Sequence, residues 1–122
     1  MARILVVDDE VELRTLLRKV LTRRGHDVIE AENGSVATSM VEQGEILDLI
    51  ITDIFMPDTD GIEVLRHLRA KYQELKIVVM SGGGHRVSRG YLPAATALGA
   101  NHVIEKPFDP ASVGDQIEDL LK

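Results

Sequence analysis

An open, doubly wound α/β sandwich is the fold class this sequence predicts, with a five-stranded parallel sheet in the order 2-1-3-4-5 and helices on both faces. Three observations lead there. Five short apolar runs alternate with stretches of helical periodicity from end to end. No Ser/Gly/Pro-rich linker, repeat or low-complexity tract interrupts that alternation. The third and fourth runs are apolar on both sides, as strands covered by helices on each face must be. Such β-α units join through right-handed crossovers. One domain over residues 1–122 is expected, because a chain of this length buries roughly two thirds of its unfolded surface.

The first strand is Ile4 to Val7, and Leu13, Leu16, Leu17, Val20 and Leu21 then recur at the spacing of an inward helix face before Gly25 stops it. A short strand near Asp27 to Ala31 precedes a helix from about Ser35 to Glu42 that ends at Gly44. Leu47 to Thr52 is a nearly continuous apolar run closed by Asp53. Asp58 suits a turn, and Asp60 can cap a helix from Gly61 to Tyr72, whose Ile62, Val64, Leu65 and Leu68 point inward. The fourth strand, Leu75 to Met80, stops at Ser81. After Gly82-Gly83-Gly84, Pro93 suits the first turn of a short helix reaching Leu98. A fifth strand at His102 to Glu105 precedes Lys106-Pro107, and Asp109-Pro110 has the cap-then-proline form of a last helix start.

Composition narrows the function classes. With no Cys, disulfides, iron-sulfur clusters and Cys-bearing zinc sites are excluded, and a reducing compartment is the natural home. The opening apolar run is too short for a signal peptide and no segment is long enough to span a bilayer, so a soluble, cytoplasmic chain without membrane partners is expected. A formal net charge of -6 and 3% aromatic residues argue against nucleic acid. Arg14, Arg18, Lys19, Arg23 and Arg24 gather on the first helix. Their plain reading is a solvated face, and the sharper one a docking surface for an acidic partner.

In sheets of this kind ligands sit beyond the carboxyl ends of the strands, where strand order reverses. The residues at those ends are Asp8 and Asp9, then Asp53, Ser81 and Lys106, all polar. With the first and third strands adjacent, three carboxylates share one crevice, and at roughly 5 Å each pair repels by about 3 kcal/mol for an effective dielectric of about 20. Such a site calls for a cation. Oxygen ligands with room for water and phosphate suit Mg2+. Aspartate, magnesium, a hydroxyl and a lysine together fit phosphoryl transfer onto a carboxylate. His26, His67, His85 and His102 share no metal-ligand spacing and read as surface or strand-edge residues, and the triple glycine lacks the Gly-Lys-Ser/Thr of a nucleotide-binding loop.

The segments Ile4-Leu5-Val6-Val7-Asp8-Asp9, Asp48 through Gly61 with Asp53 and Met56-Pro57 inside it, Ser81-Gly82 and Lys106-Pro107-Phe108 together resemble the receiver domain of two-component response regulators, the CheY-like family. The resemblance covers essentially the whole chain. It implies that Asp53 accepts a phosphoryl group from a sensor histidine kinase or a histidine phosphotransfer protein. It also implies that Asp9, Asp53 and the backbone carbonyl of Phe55 bind magnesium directly, with Asp8 reaching it through water. Ser81 would hydrogen-bond a phosphoryl oxygen and Lys106 would pair with the phosphoryl group. By the same resemblance the chain is a phosphoacceptor switch that catalyses only its own phosphorylation and slow hydrolysis and signals through a downstream protein. It would be a stand-alone regulator, a relay intermediate or a piece of a larger protein, with the phosphodonor docking on the early helix and the loop after Lys106.

Two alternatives come from other classes: a receiver-shaped interaction module that is never phosphorylated, and a phosphohydrolase of the haloacid dehalogenase type. The latter normally carries Asp-x-Asp after its first strand, where this chain has Asp8-Asp9-Glu10. The chain also departs from the receiver pattern. Val103 stands where receivers commonly have Tyr or Phe three residues before the lysine, so the aromatic readout cannot operate. The longer, glycine-rich segment after Ser81 is expected to be mobile over Gly82 to Tyr91 and to order on phosphorylation. Phe55 is expected to hinder attacking water while Gly83 leaves it space, with a long-lived phosphoryl group the favoured balance.

Overall fold

The computed structural model describes residues 2–53, 55–56, 59–81, 99–106 and 108–122, with the backbone alone for 55–56, 59–62 and 81. The expected helix from Pro93 to Leu98, the loop Gly82 to Tyr91, Asp58, His85 and the side chains of Phe55, Asp60 and Ser81 therefore lie outside the described residues.

Strands β1 (Arg3–Val7), β2 (Asp27–Ala31), β3 (Leu49–Asp53), β6 (Lys76–Ser81) and β7 (His102–Glu105) form one sheet. Its order is β2-β1-β3-β6-β7, and every pairing is parallel. Counted among the strands of this sheet alone, that is the expected 2-1-3-4-5. The described helices are α1 (Val11–Arg23), α2 (Gly34–Glu42), α3 (Gly61–Lys71) and α4 (Pro110–Leu121).

The central strands alternate their side chains between two apolar layers, which is why they read as unbroken hydrophobic runs. Leu5, Val7, Ile50, Ile77 and Val79 pack with Ala37 and Val41 of α2 and with Val64, Leu65 and Leu68 of α3. Ile4, Val6, Leu49, Ile51, Val78 and Met80 face the other way, onto Leu17 and Leu21 of α1 and Val113 and Ile117 of α4. Each large aliphatic side chain fully buried here contributes about 2 kcal/mol of transfer free energy. Two covered faces fix the register of every central strand, because a slip of one residue would exchange the layers.

Helix ends follow their local chemistry. Asn33 caps α2 by accepting a hydrogen bond from the Val36 N–H at 2.9 Å. Gly25 and Gly44 follow α1 and α2 with φ of 92° and 100°, the left-handed geometry in which glycine carries no steric penalty. Asp109 occupies the N-cap position of α4 ahead of Pro110, but its side chain makes no capping bond; its carbonyl accepts from the Val113 N–H at 3.0 Å. One element was not foreseen: β4 (Phe55–Met56) and β5 (Thr59–Asp60) pair as a short antiparallel ribbon between β3 and α3. A hairpin of two-residue strands has no periodicity to read.

Arg69 fastens the end of α3 to the far side of the sheet. Its guanidinium donates to the Gly99 carbonyl at 2.8 and 3.1 Å, to the Gln73 carbonyl at 2.8 Å and to Asn101 Oδ1 at 2.8 Å. Asn101 Oδ1 also accepts from the Ile77 N–H at 2.8 Å, near the start of β6. Gly99 has φ of 112°, and a Cβ there would sit 2.9 Å from Arg69 Cγ and Nε. Gly99→Ala is accordingly expected to cost about 2 kcal/mol through backbone strain and displacement of Arg69. Urea unfolding checks this, and an unchanged midpoint would refute it.

Candidate functional site

Register builds the site. Val7 of β1 lies opposite Thr52 of β3, so the residues that follow, Asp8 and Asp53, emerge side by side at one rim. Asp53 lies opposite Met80, and Ser81 ends β6 opposite Glu105 of β7, so Ser81 and Lys106 reach the same rim. Phe55 follows Asp53 by two residues and opens β4. This is the carboxyl edge of the sheet at the reversal of strand order, where doubly wound folds bind ligands.

The side chains converge as the strand ends require. Lys106 Nζ lies 3.0 Å from Asp8 Oδ2 and 3.0 Å from Asp53 Oδ2, and 3.8 Å from Glu10 Oε1. Asp8 is 0% and Asp53 4% exposed, and the Lys106 side chain retains 15% of its surface. The other Asp8 oxygen accepts from the Glu10 N–H at 2.8 Å. The carboxylates of Asp8, Asp9 and Glu10 each offer an oxygen within 4.8 Å of the others. Asp53 stands outside that set and meets Asp8 through the Lys106 ammonium. Asp9 and Glu10 are exposed, so three carboxylates, those of Asp8, Glu10 and Asp53, face one half-buried amine at an open rim, with Asp9 beside Asp8 and Glu10.

Burial is the largest influence on Asp8 and pushes its carboxyl above the ordinary 3.8; the Glu10 amide and Lys106 oppose the rise without cancelling it, and Asp53 adds to it. For Lys106, burial acts to lower the pKa, but attraction to Asp53 and the hydrogen bonds to Asp8 and Asp53 prevail and hold it above the ordinary 10.5. The linkage signs follow. Asp8 contributes stability below its unfolded pKa that is lost as pH rises through the higher folded value, whereas the Lys106 contribution persists through neutrality and is lost only at strongly alkaline pH. At neutral pH without a divalent cation, Asp8 is thus a destabilising charge. Asp8→Asn is expected to raise the thermal midpoint of the metal-free protein at pH 7 and to flatten its fall as pH rises through the raised Asp8 pKa. An unchanged midpoint at pH 7 would contradict that.

The donor set fits a hard divalent cation. All the groups offered are carboxylate oxygens, some exposed enough to leave room for water, and a buried carboxylate held above its ordinary pKa gains from an added positive charge. A cation at the acidic cluster would add positive charge beside Lys106 rather than displace a hydrophobic contact.

Fold and site together define a signalling receiver of the doubly wound class. The chain matches the response regulator receiver domain over residues 4–118, and it belongs to that family. It is 37% identical to a chemotaxis protein CheY homolog of Campylobacter jejuni, with 98% of this chain and 92% of that protein covered. The structure of response regulator protein TrrA from Thermotoga maritima, in complex with Mg2+-BeF, superposes with a TM-score of 0.84 at 34% identity, covering 99% of this chain and 100% of that one. NtrX from Brucella abortus gives a TM-score of 0.89 at 31% identity, where 98% of this chain spans 27% of the longer chain. Neither the unphosphorylated interaction module nor the dehalogenase-type phosphohydrolase is favoured by these likenesses. Among the described residues no helix is long and apolar enough to cross a membrane.

Some side chains lie where sequence reasoning did not place them. His26 directly precedes the edge strand β2 but turns its ring inward: its Nδ1 accepts from the Ala2 N–H at 3.2 Å, so Nε2 carries the proton and donates to Glu118 at 2.5 Å. His67 and His102 are at the surface and on the edge strand, bonded to Glu42 and Gln116. The basic face of α1 is partly consumed internally, since Arg14 and Arg18 pair with Glu30, and Arg24 pairs with Asp115. Lys19 and Arg23 remain exposed. Glu10 was missed as part of the acidic cluster, although its place directly after Asp8-Asp9 was a legible signal. Val103 is half-buried on β7, opposite Val79.

Proposed function

We propose that the whole chain, residues 1–122, is a single receiver that takes a phosphoryl group onto Asp53 from a phosphohistidine of a sensor histidine kinase or a histidine phosphotransfer protein. It then signals by altered binding to a downstream protein. The observation that carries this reading is the nearly buried Asp53 at the end of β3 with the Lys106 ammonium 3.0 Å away. An Asp53 oxygen attacks phosphorus, the new O–P bond forms as the N–P bond of the donor breaks, and the imidazole leaves with the electron pair and takes up a proton. Water later opens the acyl phosphate, releasing inorganic phosphate and restoring the carboxylate. No other substrate is turned over.

Asp9, Asp53 and the Phe55 carbonyl would hold Mg2+ directly and Asp8 through water, where the ion supplies positive charge against the phosphoryl oxygens. The acidic cluster and the Mg2+-BeF complex of the relative TrrA support this choice. Lys106 donates to the transferred group from the position in which it now bridges Asp8 and Asp53, and the Ser81 hydroxyl holds a phosphoryl oxygen. With Val103 in the place of the ring, either another element reports the change or coupling is weak. A cytoplasmic location, in reach of a kinase, follows from the same reading.

The test uses acetyl phosphate as donor and intact mass as readout. The native chain should gain one phosphoryl group when both acetyl phosphate and Mg2+ are present and none when Mg2+ is chelated. No gain under either condition would leave an unphosphorylated interaction module as the better description.

A further inference from the structure

We propose that Arg14 is a positioning residue for the acidic loop: it fixes the backbone of Asp8 and thereby sets where Asp8, Asp9 and Glu10 present their oxygens. The inference rests on the reading of that loop as part of the cation site. Arg14 is on the first turn of α1, yet its side chain is only 14% exposed. Its Nη1 donates to the Asp8 carbonyl at 2.6 Å, and its Nε donates to Glu30 Oε1 at 3.2 Å. Glu30 is held in turn by Arg18 Nε at 3.3 Å, so the acceptor is itself steadied.

The connection closes a frame around one peptide. The Asp8 N–H donates directly to the Ala31 carbonyl at 3.2 Å, at the end of β2. The Asp8 carbonyl reaches the neighbouring Glu30 through Arg14. The two side-chain oxygens go to the Glu10 N–H and to Lys106. Every polar group of Asp8 is thus engaged, and Arg14 is the member that ties the loop to both α1 and β2. An exposed ion pair would be worth little, but here the guanidinium spans a backbone carbonyl and a carboxylate with two N–H groups in a rigid fork, which an ammonium cannot reproduce.

Charge and geometry predict opposite outcomes. A guanidinium beside an acidic cluster opposes the binding of a cation, so removing it should by electrostatics alone tighten Mg2+ binding. Positioning predicts the reverse, because groups that orient metal ligands typically affect affinity by about tenfold or more. Arg14→Gln is therefore expected to weaken Mg2+ binding about tenfold by calorimetry, and Arg14→Lys, which keeps the charge, to restore less than half of the loss on a logarithmic scale. Binding by Arg14→Gln as tight as native, or tighter, overturns the proposal.

A second readout needs no metal. In the metal-free protein, the Glu10 amide that donates to Asp8 should exchange about tenfold faster in Arg14→Gln, the effect of losing one charge-assisted hydrogen bond, while Val6 and Ile51 amides keep their protection. Unchanged exchange at Glu10 overturns the positioning role. If the native chain binds no Mg2+, the reading of the site fails and the exchange result alone decides the role of Arg14. Should Arg14→Gln fail to fold, Glu30→Gln keeps the guanidinium and removes only its anchor's charge, and a smaller acceleration at Glu10 is expected; none overturns the proposal.

Discussion

Asp53→Asn is expected to take up no phosphoryl group from acetyl phosphate and Mg2+ while folding as the native chain does. An amide oxygen is a poor nucleophile, and among the described residues no other carboxylate at the rim shares the surroundings of Asp53. Asp8 is fully buried, with its oxygens committed to the Glu10 amide and Lys106. Asp9 and Glu10 are exposed, and only Glu10 comes within 4 Å of the lysine, at 3.8 Å. Lys106 keeps its bond to Asp8 in the variant, so the buried amine is not stranded. Intact mass and a thermal melt check both halves. Uptake equal to native would move the acceptor elsewhere, whereas loss of the fold would show that Asp53 is needed structurally.

Lys106→Met should have the largest effect on stability. Asp8 and Asp53 would be left at the rim with the ammonium that neutralises both of them gone. Removing one partner of a buried ion pair typically costs 3–5 kcal/mol, and about 3 kcal/mol is expected here because Asp8 already holds a raised pKa and can take up a proton. Denaturant unfolding in a chelating buffer at pH 7 measures this. Because any ligand that binds only the folded state stabilises it, Mg2+ at about 100 times its Kd should recover roughly 2.7 kcal/mol of stability. Phosphorylation should still fall by about a hundredfold or more, since a fixed positive charge at the developing phosphoryl oxygens is lost. A variant as stable as native without metal would mean that the carboxylates do not burden the fold.

How much was legible in the sequence depended on the range over which each feature is specified. The sheet was readable because Leu49 to Thr52 and Ile77 to Met80 must be apolar on both faces, and β2 and β7 lie where their runs predicted. Helix ends were readable at Gly25 and Gly44, where left-handed backbone selects the residue. The third strand begins at Leu49 rather than Leu47, and Asp48 just before it ties down the start of β1: its Oδ2 accepts from the Arg3 N–H at 2.8 Å and its own N–H donates to the Arg3 carbonyl at 2.9 Å. At the site, Asp8, Asp53 and Lys106 were legible because strand ends converge whenever the strand order is right. What no periodicity encodes is partnership between side chains distant in sequence. His26 meeting Glu118 and Arg14 bridging Asp8 to Glu30 both depend on which face of a helix lies over which strand end. A cluster of arginines reads as a charged surface until that packing is known.

The account turns on which oxygen receives phosphorus. After incubation with acetyl phosphate and Mg2+, borohydride reduction converts an aspartyl phosphate to homoserine, and peptide mass mapping then locates it. Homoserine at position 53 alone is the predicted result. Homoserine at position 8 or 9 instead, or none in a chain whose intact mass had risen, would contradict it.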